Sequence, residues 1–168
     1  MFCMEQAALA ADANCTYIAP YVNELRVHFD KGFVDENKAF EFCREAQEYY
    51  GRIGARTQVL VASLTSIDEV MQLAGVQHIT ISPPLLNELA TQPAATWQRP
   101  VGSLFTKIFT PANKDVDLAS IVSSESAWKL AFTRSSFGTS HGKIVQAINY
   151  FSDFQEKLED LVMKYFSN

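Results

Sequence analysis

Short apolar runs alternate with segments of helical periodicity along the first half of the chain. Residues 15–21, 56–63 and 76–82 are rich in β-branched and aromatic side chains, with apolar positions on both faces of an extended strand. Residues 4–14 are rich in alanine, and residues 39–53 carry apolar side chains every three or four positions. Such alternation is typical of parallel βαβ units, so the sequence predicts an α/β fold.

Two helix boundaries are marked by residues with a clear local preference. Gly54 follows the periodic segment 39–53 and is expected to close that helix at its C-terminus. Ser66 precedes a second helical segment, which is predicted to run to Ala74 and has acidic residues in its first turn. Residues 23–35 show neither pattern and are predicted to form a loop.

The second half of the chain is organised differently. Residues 91–123 are interrupted by three prolines and are interpreted as an irregular tail segment. Beyond residue 124, Trp128 and Phe132 indicate one helix, and a longer amphipathic helix follows. We therefore expect a single domain, residues 1–168, in which 1–90 form the βα units and 124–168 form C-terminal helices. The long helix is marked by Ile144, Ile148, Phe151, Leu158, Val162 and Tyr165.

Composition and charge exclude several classes of function. The chain has 168 residues, 48% of them hydrophobic and 20% charged, as expected for a soluble globular domain. Its net charge is −5, and the charged residues are spread along the sequence. We therefore expect the protein to bind neither nucleic acid nor an acidic membrane surface. No apolar run approaches the ~20 residues of a membrane span.

The cysteines and histidines give no sign of a metal or a disulfide. Three cysteines without C-x-x-C spacing, and an N-terminus without a basic start and apolar core, predict a cytoplasmic protein with reduced thiols. The three histidines lack ligand-like spacing, so neither a metal nor another cofactor is expected. We interpret the thiols of Cys3, Cys15 and Cys43 as small buried apolar groups.

Four segments of the chain are similar to one enzyme family. They read FCMEQAALAADAN, CTYIAPYVNEL, VASLTSIDEVMQLAG and TISPPLLNEL, and they resemble strands five to eight and the intervening helices of a fungal-type transaldolase. The resemblance implies a partial (β/α)8 TIM barrel, its second half, followed by C-terminal helices. Position 1 would lie in strand five, and the family's Schiff-base lysine on strand four has no counterpart here. A complete barrel needs about 250 residues.

The resemblance also implies where a sugar phosphate would bind. Transaldolases hold it with two arginines, and the matching positions of this chain carry Glu24 and Thr65. Arginine presents a fork of donors to phosphate, whereas a glutamate repels it. Arg26, two residues beyond Glu24, is the nearest alternative if the turn differs from that of the family.

The remaining polar positions near the strand ends form a second candidate set. Ala19 and Tyr21 replace the family's strand-six serine and its neighbouring phenylalanine, and Ser63 matches the serine that ends strand seven. We take Tyr21, Glu24, Ser63 and Thr65 as candidate substrate-binding residues. The alternative is ordinary packing of the barrel interior.

Catalytic residues of the expected type are missing. The three predicted strands contain no lysine that could form a Schiff base, and Lys107 in the tail is a remote substitute. His78, within a strand, is interpreted as a hydrogen-bonded core residue. The sequence thus predicts a transaldolase-like protein, related to pentose phosphate carbohydrate metabolism, without transaldolase activity on its own.

Three functional alternatives follow from this interpretation. The first is a pseudoenzyme that works through interaction. The second is an enzyme acting on a small carbonyl compound, with Glu24 as base, Tyr21 as acid and Ser63 as an orienting group. The third is complementation, in which the chain supplies strands five to eight to a partner that supplies the other half.

An incomplete barrel is expected to need a cover. We expect Tyr17, Val59 and Val61 to line its inward face, and the first and last strands to be open edges. A homodimer is the favoured prediction. The alternative is that the tail folds over the open side, with Trp97, Leu104, Phe105, Ile108 and Phe109 as its apolar contacts.

Overall fold

The computed structural model describes residues 1–93, 102–106 and 117–166. Within the predicted tail, Trp97, Lys107, Ile108 and Phe109 lie outside the described residues.

The described residues form eight α-helices and three short strands. In the first half these are α1 (Met4–Asp12), β1 (Tyr17–Ile18), α2 (Arg26–Phe29), α3 (Phe40–Ile53), β2 (Gln58–Val61), α4 (Ile67–Gln72), β3 (His78–Ile79) and α5 (Pro83–Thr91). In the second half they are α6 (Leu118–Val122), α7 (Glu125–Arg134) and α8 (Thr139–Phe166). Short 3-10 turns span Leu104–Thr106 and Ser135–Gly138.

The three strands form one parallel sheet in the order β1-β2-β3. Ile18 lies beside Val59 in the first pair, and Leu60 lies beside His78 in the second. The predicted α/β class and the parallel pairing are confirmed. The regular strands are shorter than the apolar runs that predicted them, although backbone hydrogen bonds continue beyond them, from the Ala62 N–H to the Pro20 carbonyl and from the Val22 N–H to the Ala62 carbonyl.

Both marked helix boundaries occur where the sequence predicted them. Gly54 adopts φ +66 at the end of α3, a left-handed conformation that glycine tolerates without strain. The Ser66 hydroxyl accepts a hydrogen bond from the Glu69 N–H at 3.3 Å and caps α4. The predicted loop 23–35 contains one turn of helix, α2, which its sequence did not indicate.

The two faces of the sheet differ from the prediction. Val59 and Val61 are fully buried, whereas Tyr17 is 48% exposed. In this register Tyr17 is the neighbour of Gln58, and Ile18 is the neighbour of Val59, so Tyr17 and the valines point to opposite sides. The expectation that Tyr17, Val59 and Val61 share the open face is therefore wrong.

The open face carries polar contacts of its own. The His78 ring lies edge-on to Tyr17 at 5.2 Å, and its Nε2 is 2.7 Å from Oε1 of Gln58. His78 is hydrogen-bonded, as its interpretation from the sequence required, but it is only half-buried and lies on the open face instead of in the core.

The buried side of the sheet packs against the helices, and two of the three thiols belong to these helices: Cys3 at the start of α1 and Cys43 in α3. Cys43 is completely buried and Cys3 nearly so, and burial raises the pKa of Cys43 to about 12 and that of Cys3 to about 11. Cys15 is exposed, so the interpretation of all three thiols as buried is wrong. Cys15 lies in the turn between α1 and β1, which the helices do not cover.

The described part of the tail lies against helices. The Leu104 carbonyl accepts a hydrogen bond from Nη1 of Arg44 on α3 at 2.9 Å, and Phe105 packs beside Gly75. The C-terminal helices dock through Trp128, whose indole N–H donates to the Glu5 carbonyl at 2.7 Å. Among the described helices, none is long and apolar enough to cross a membrane.

Candidate functional site at the strand ends

The carboxyl ends of β1 and β2 remain paired beyond the regular sheet. A parallel bridge joins Tyr21 to Ala62, and the Val22 N–H donates to the Ala62 carbonyl at 2.9 Å. The next backbone N–H, that of Asn23, donates to the Ser63 carbonyl at 3.3 Å. These bonds place the candidate residues of both strands at one edge of the sheet, where parallel α/β proteins usually bind ligands.

A buried carboxylate organises one side of this edge. Glu69, the third residue of α4, is 2% exposed. It accepts hydrogen bonds from Lys38 Nζ at 2.7 Å, from Asn23 Nδ2 at 3.0 Å and from the Thr65 N–H at 2.7 Å. The Thr65 hydroxyl donates to the same carboxylate at 3.1 Å. We call Asn23, Lys38, Thr65 and Glu69 the Glu69 cluster.

The pKa of Glu69 reflects two opposing effects. Burial raises the pKa, but the hydrogen bonds from Lys38, Thr65 and Asn23 favour the charged form and outweigh burial, so the pKa is lowered overall. Glu69 therefore places a negative charge beneath Thr65 at neutral pH.

A second carboxylate lies under Glu24. The Glu24 N–H donates to Oδ2 of the buried Asp35 at 2.8 Å, and Lys143 Nζ of α8 is 3.4 Å from the same oxygen. The Glu24 side chain itself is half-buried and lines an open cavity of about 970 Å³ between residues 33–42 and the start of α8. This wall of the site thus carries both acidic and basic groups.

Ser63 has a partner that the sequence did not suggest. Its hydroxyl oxygen lies 2.8 Å from Nε2 of the exposed His28 in α2. The backbone of Ser63 has φ +64, a left-handed conformation that side-chain-bearing residues rarely adopt.

Tyr21 and Arg26 are engaged elsewhere. The Tyr21 ring meets Phe2 edge-on at 6.1 Å. Arg26 Nε donates to Oδ2 of Asp30 at 2.8 Å, and its guanidinium lies 4.1 Å from the centre of the Phe33 ring. The pair with Asp30 holds the Arg26 side chain within its own helical turn.

The structure therefore joins two of the four predicted site residues and separates the others. Asn23 links Ser63 to Thr65, because its Nδ2 donates to both the Ser63 carbonyl and Glu69. In the described part of the chain, no hydrogen bond joins Tyr21 or Glu24 to this pair. Sequence reasoning missed Asn23, His28 and Lys38, and it did not indicate that the Glu69 side chain points inward. The spacing Ser66-x-x-Glu69 of a capping box was the one available signal.

Comparison with known proteins identifies the family. The family model described as Transaldolase/Fructose-6-phosphate aldolase matches residues 1–136. The chain belongs to the transaldolase/fructose-6-phosphate aldolase family. Transaldolases of Chlamydia caviae and Saccharomyces cerevisiae are each 29% identical to it over 98% of its length. That of Marinomonas sp. is 30% identical over 95%.

The family match covers only part of each relative. The alignments include 49% of the Chlamydia caviae protein and 48% of the other two, so the chain spans about half the length of these relatives. The implied resemblance to a transaldolase C-terminal half is thereby confirmed. The strand ends of this family member carry Glu24 and Thr65 where the resemblance implies phosphate-binding arginines.

Proposed function

We propose that this chain forms the second half of a transaldolase-type (β/α)8 barrel, has no transaldolase activity on its own and acts through association. The observation that carries the proposal is the Glu69 cluster. A sugar phosphate at this edge of the sheet would meet Glu24 and Thr65 where the resemblance implies arginines, and Lys38 is already paired with Glu69. Glu24 is negative and Thr65 is uncharged, so neither attracts a phosphate dianion.

The basic residues near the site are already paired. Lys38 is bound to Glu69, Lys143 contacts Asp35, and Arg26 is bound to Asp30. Moving any of them to a phosphate would leave a carboxylate without its partner, which is most unfavourable for Glu69 and Asp35 because both are buried. The regular strands 17–18, 58–61 and 78–79 also contain no lysine for a Schiff base.

The test is direct binding and trapping with fructose 6-phosphate. We expect no heat of binding in titration calorimetry and no adduct after borohydride reduction. A measurable affinity or a trapped adduct on any lysine contradicts the proposal.

A charge-restoring variant tests the cause. Glu24→Arg combined with Thr65→Arg is expected to create millimolar or tighter binding of inorganic phosphate. Glu48→Arg combined with Thr91→Arg makes the same changes at two exposed positions and is the matched control. Equal binding by both double variants would show that the strand ends are not responsible.

Association is supported by the outer half of α8, residues 151–166. Apolar side chains there recur at spacings of three and four residues, and each is between 44% and 80% exposed. Such spacing forms one seam of a two-helix coiled coil. We call these residues the α8 stripe: Phe151, Phe154, Leu158, Leu161 and Tyr165.

A second copy of the chain is the partner that fits the α8 stripe best. Two identical heptad seams complement each other in a symmetric pair. In a parallel pair the flanking Lys157 would face Val162 of the other helix, so no like charges meet. Light scattering after gel filtration is expected to give twice the mass of one chain. A monomer that binds no hydrophobic dye contradicts this assignment, and a complex formed only with a separate first-half barrel fragment would favour complementation.

The alternative enzyme function needs Tyr21, Glu24 and Ser63 to act together on a carbonyl compound. Glu24 lines the cavity beside α8, Tyr21 packs on Phe2, and Ser63 is bound to His28. No described contact favours this trio, so the interaction role is preferred.

A further inference from the structure

The pairing of Ser63 with His28 has the geometry of a nucleophile and its base. The Ser63 hydroxyl and Nε2 of His28 are 2.8 Å apart, within the range for direct proton transfer. Both belong to segments that follow strands at the ligand-binding edge of the sheet. Neither is needed to explain the fold, because His28 is exposed and Ser63 is only half-buried.

The backbone of Ser63 is strained, and the surrounding structure maintains the strain. A serine in the left-handed conformation is less stable than one in an extended conformation. The conformation is held through the Ser63 carbonyl, which accepts from both the N–H and the side-chain Nδ2 of Asn23, a residue that is 1% exposed. Strain of this kind at the end of a strand is used in hydrolases to present a nucleophilic serine.

The helical turn that carries His28 is attached to α8 through Phe29. The Phe29 ring contacts Tyr150 at 4.9 Å and Phe154 at 5.1 Å, and the His28 ring lies edge-on to Phe29 at 6.4 Å. These contacts hold the turn α2 beside the carboxyl end of β2.

We propose that Ser63 and His28 form a dyad that accepts acyl groups from small uncharged esters. When the Ser63 oxygen bonds to the ester carbonyl carbon, its proton passes to Nε2 of His28. The bond from that carbon to the alcohol oxygen then breaks, and the departing alcohol takes the proton from Nε2. Water, activated by the same nitrogen, hydrolyses the acyl-serine to the free acid and restores both residues.

The surroundings restrict the substrate and the rate. Glu69 is joined to Ser63 through Asn23 and is paired with Lys38, so this lysine is not available to hold an anionic acyl group. Among the described residues, no carboxylate is hydrogen-bonded to Nδ1 of His28, so the imidazolium formed in the reaction lacks the third group of a triad. We therefore expect slow transfer of a short acyl group. The dyad and the α8 stripe share no residue, so acyl transfer at Ser63 is independent of the proposed association.

The test uses p-nitrophenyl acetate as the probe with the full chain. We expect a burst of nitrophenol and an acetyl group located on Ser63 by tandem mass spectrometry. Ser63→Gly removes the hydroxyl while fitting the left-handed backbone, so it should abolish the burst without lowering the melting temperature. His28→Gln can still hydrogen-bond but cannot take the proton as a base, and it should slow acylation about 10²–10⁴-fold.

Two control variants and three outcomes decide whether the dyad is correct. Ser82→Ala, at the start of α5 beyond strand β3, and His141→Gln, at another exposed histidine, are expected to leave the burst unchanged. Acetylation only of lysines or tyrosines overturns the proposal. So does a burst that persists in Ser63→Gly or an acylation rate that is unaffected by His28→Gln.

Discussion

We call residues 1–93 the body of the molecule. A charged side chain is buried at the strand ends of the body, whereas apolar side chains are exposed on the outer half of α8. In the body a carboxylate, Glu69, is 2% exposed and every neighbour is arranged to satisfy it. In α8 the five apolar side chains of the α8 stripe are each between 44% and 80% exposed. In the first region, groups of the same chain satisfy the buried carboxylate. The second has an apolar surface that a stable soluble chain usually covers.

The contrast explains how a family member can keep the fold while changing the site. The Glu69 cluster uses strand-end groups to join the segment after β1 to α4, so it contributes to stability where the resemblance implies ligand binding. Three hydrogen-bonding residues converge on one carboxylate, and the pairing with Lys38 neutralises it. An arginine at position 65 would bring a second positive charge close to Lys38, because Thr65 and Lys38 both bind Oε1 of Glu69.

The strongest way to break the body is to remove the charge of Glu69. Glu69→Gln leaves Lys38 without its ion pair and weakens the bonds from Thr65 and Asn23. We expect the free energy of unfolding to fall by about 3 kcal/mol, the lower end for buried pairs because Lys38 is partly exposed. Urea denaturation measures the change. The control is Asp68→Asn, an exposed acid in the same helical turn, which should lower it by less than about 1 kcal/mol. Equal effects would mean that the cluster is not stabilising.

Acid should weaken the body through the same residue. The pKa of Glu69 is lower in the folded state than its ordinary value of 4.5, so its ionised form stabilises the fold above that value. This contribution is lost as the pH falls through the folded-state pKa. We expect the free energy of unfolding to drop below about pH 4.5 by more in the wild type than in Glu69→Gln. Parallel pH profiles of the two proteins would contradict the assignment.

The sequence predicted the regular parts of the body well because their determinants are local. Gly54 and Ser66 mark helix ends through preferences that depend on neighbouring residues alone. The side of the sheet that is buried was not predicted correctly, because period-two alternation separates two faces without saying which one the helices cover. Val59 and Val61 belong to an apolar run with no polar face, so nothing local identified the buried side.

The site was predictable only in part, for a related reason. Ser63 and Thr65 were found because they follow a strand. His28 lies 35 residues before Ser63 in a segment predicted to be a loop, and Lys38 lies 31 residues before Glu69. Pairings of that separation depend on the folded backbone, and no spacing rule in the sequence encodes them.

Changes in the α8 stripe are expected to have the smallest effect on the free energy of unfolding and a large effect on the mass in solution. Leu158→Glu combined with Leu161→Glu puts two charges into the seam that we assign to a second copy. Since Leu158 and Leu161 are 53% and 50% exposed, the free energy of unfolding measured in urea at a fixed low protein concentration should change by less than about 0.5 kcal/mol. The mass in solution should fall from two chains to one.

Asn149→Glu combined with Ser152→Glu adds the same charge away from the seam and should leave the mass unchanged. If the Leu158 and Leu161 variant stays dimeric, or if the control also dissociates, the α8 stripe is not the contact between copies. The exposed apolar surface of α8 would then need another explanation than a second copy of the chain.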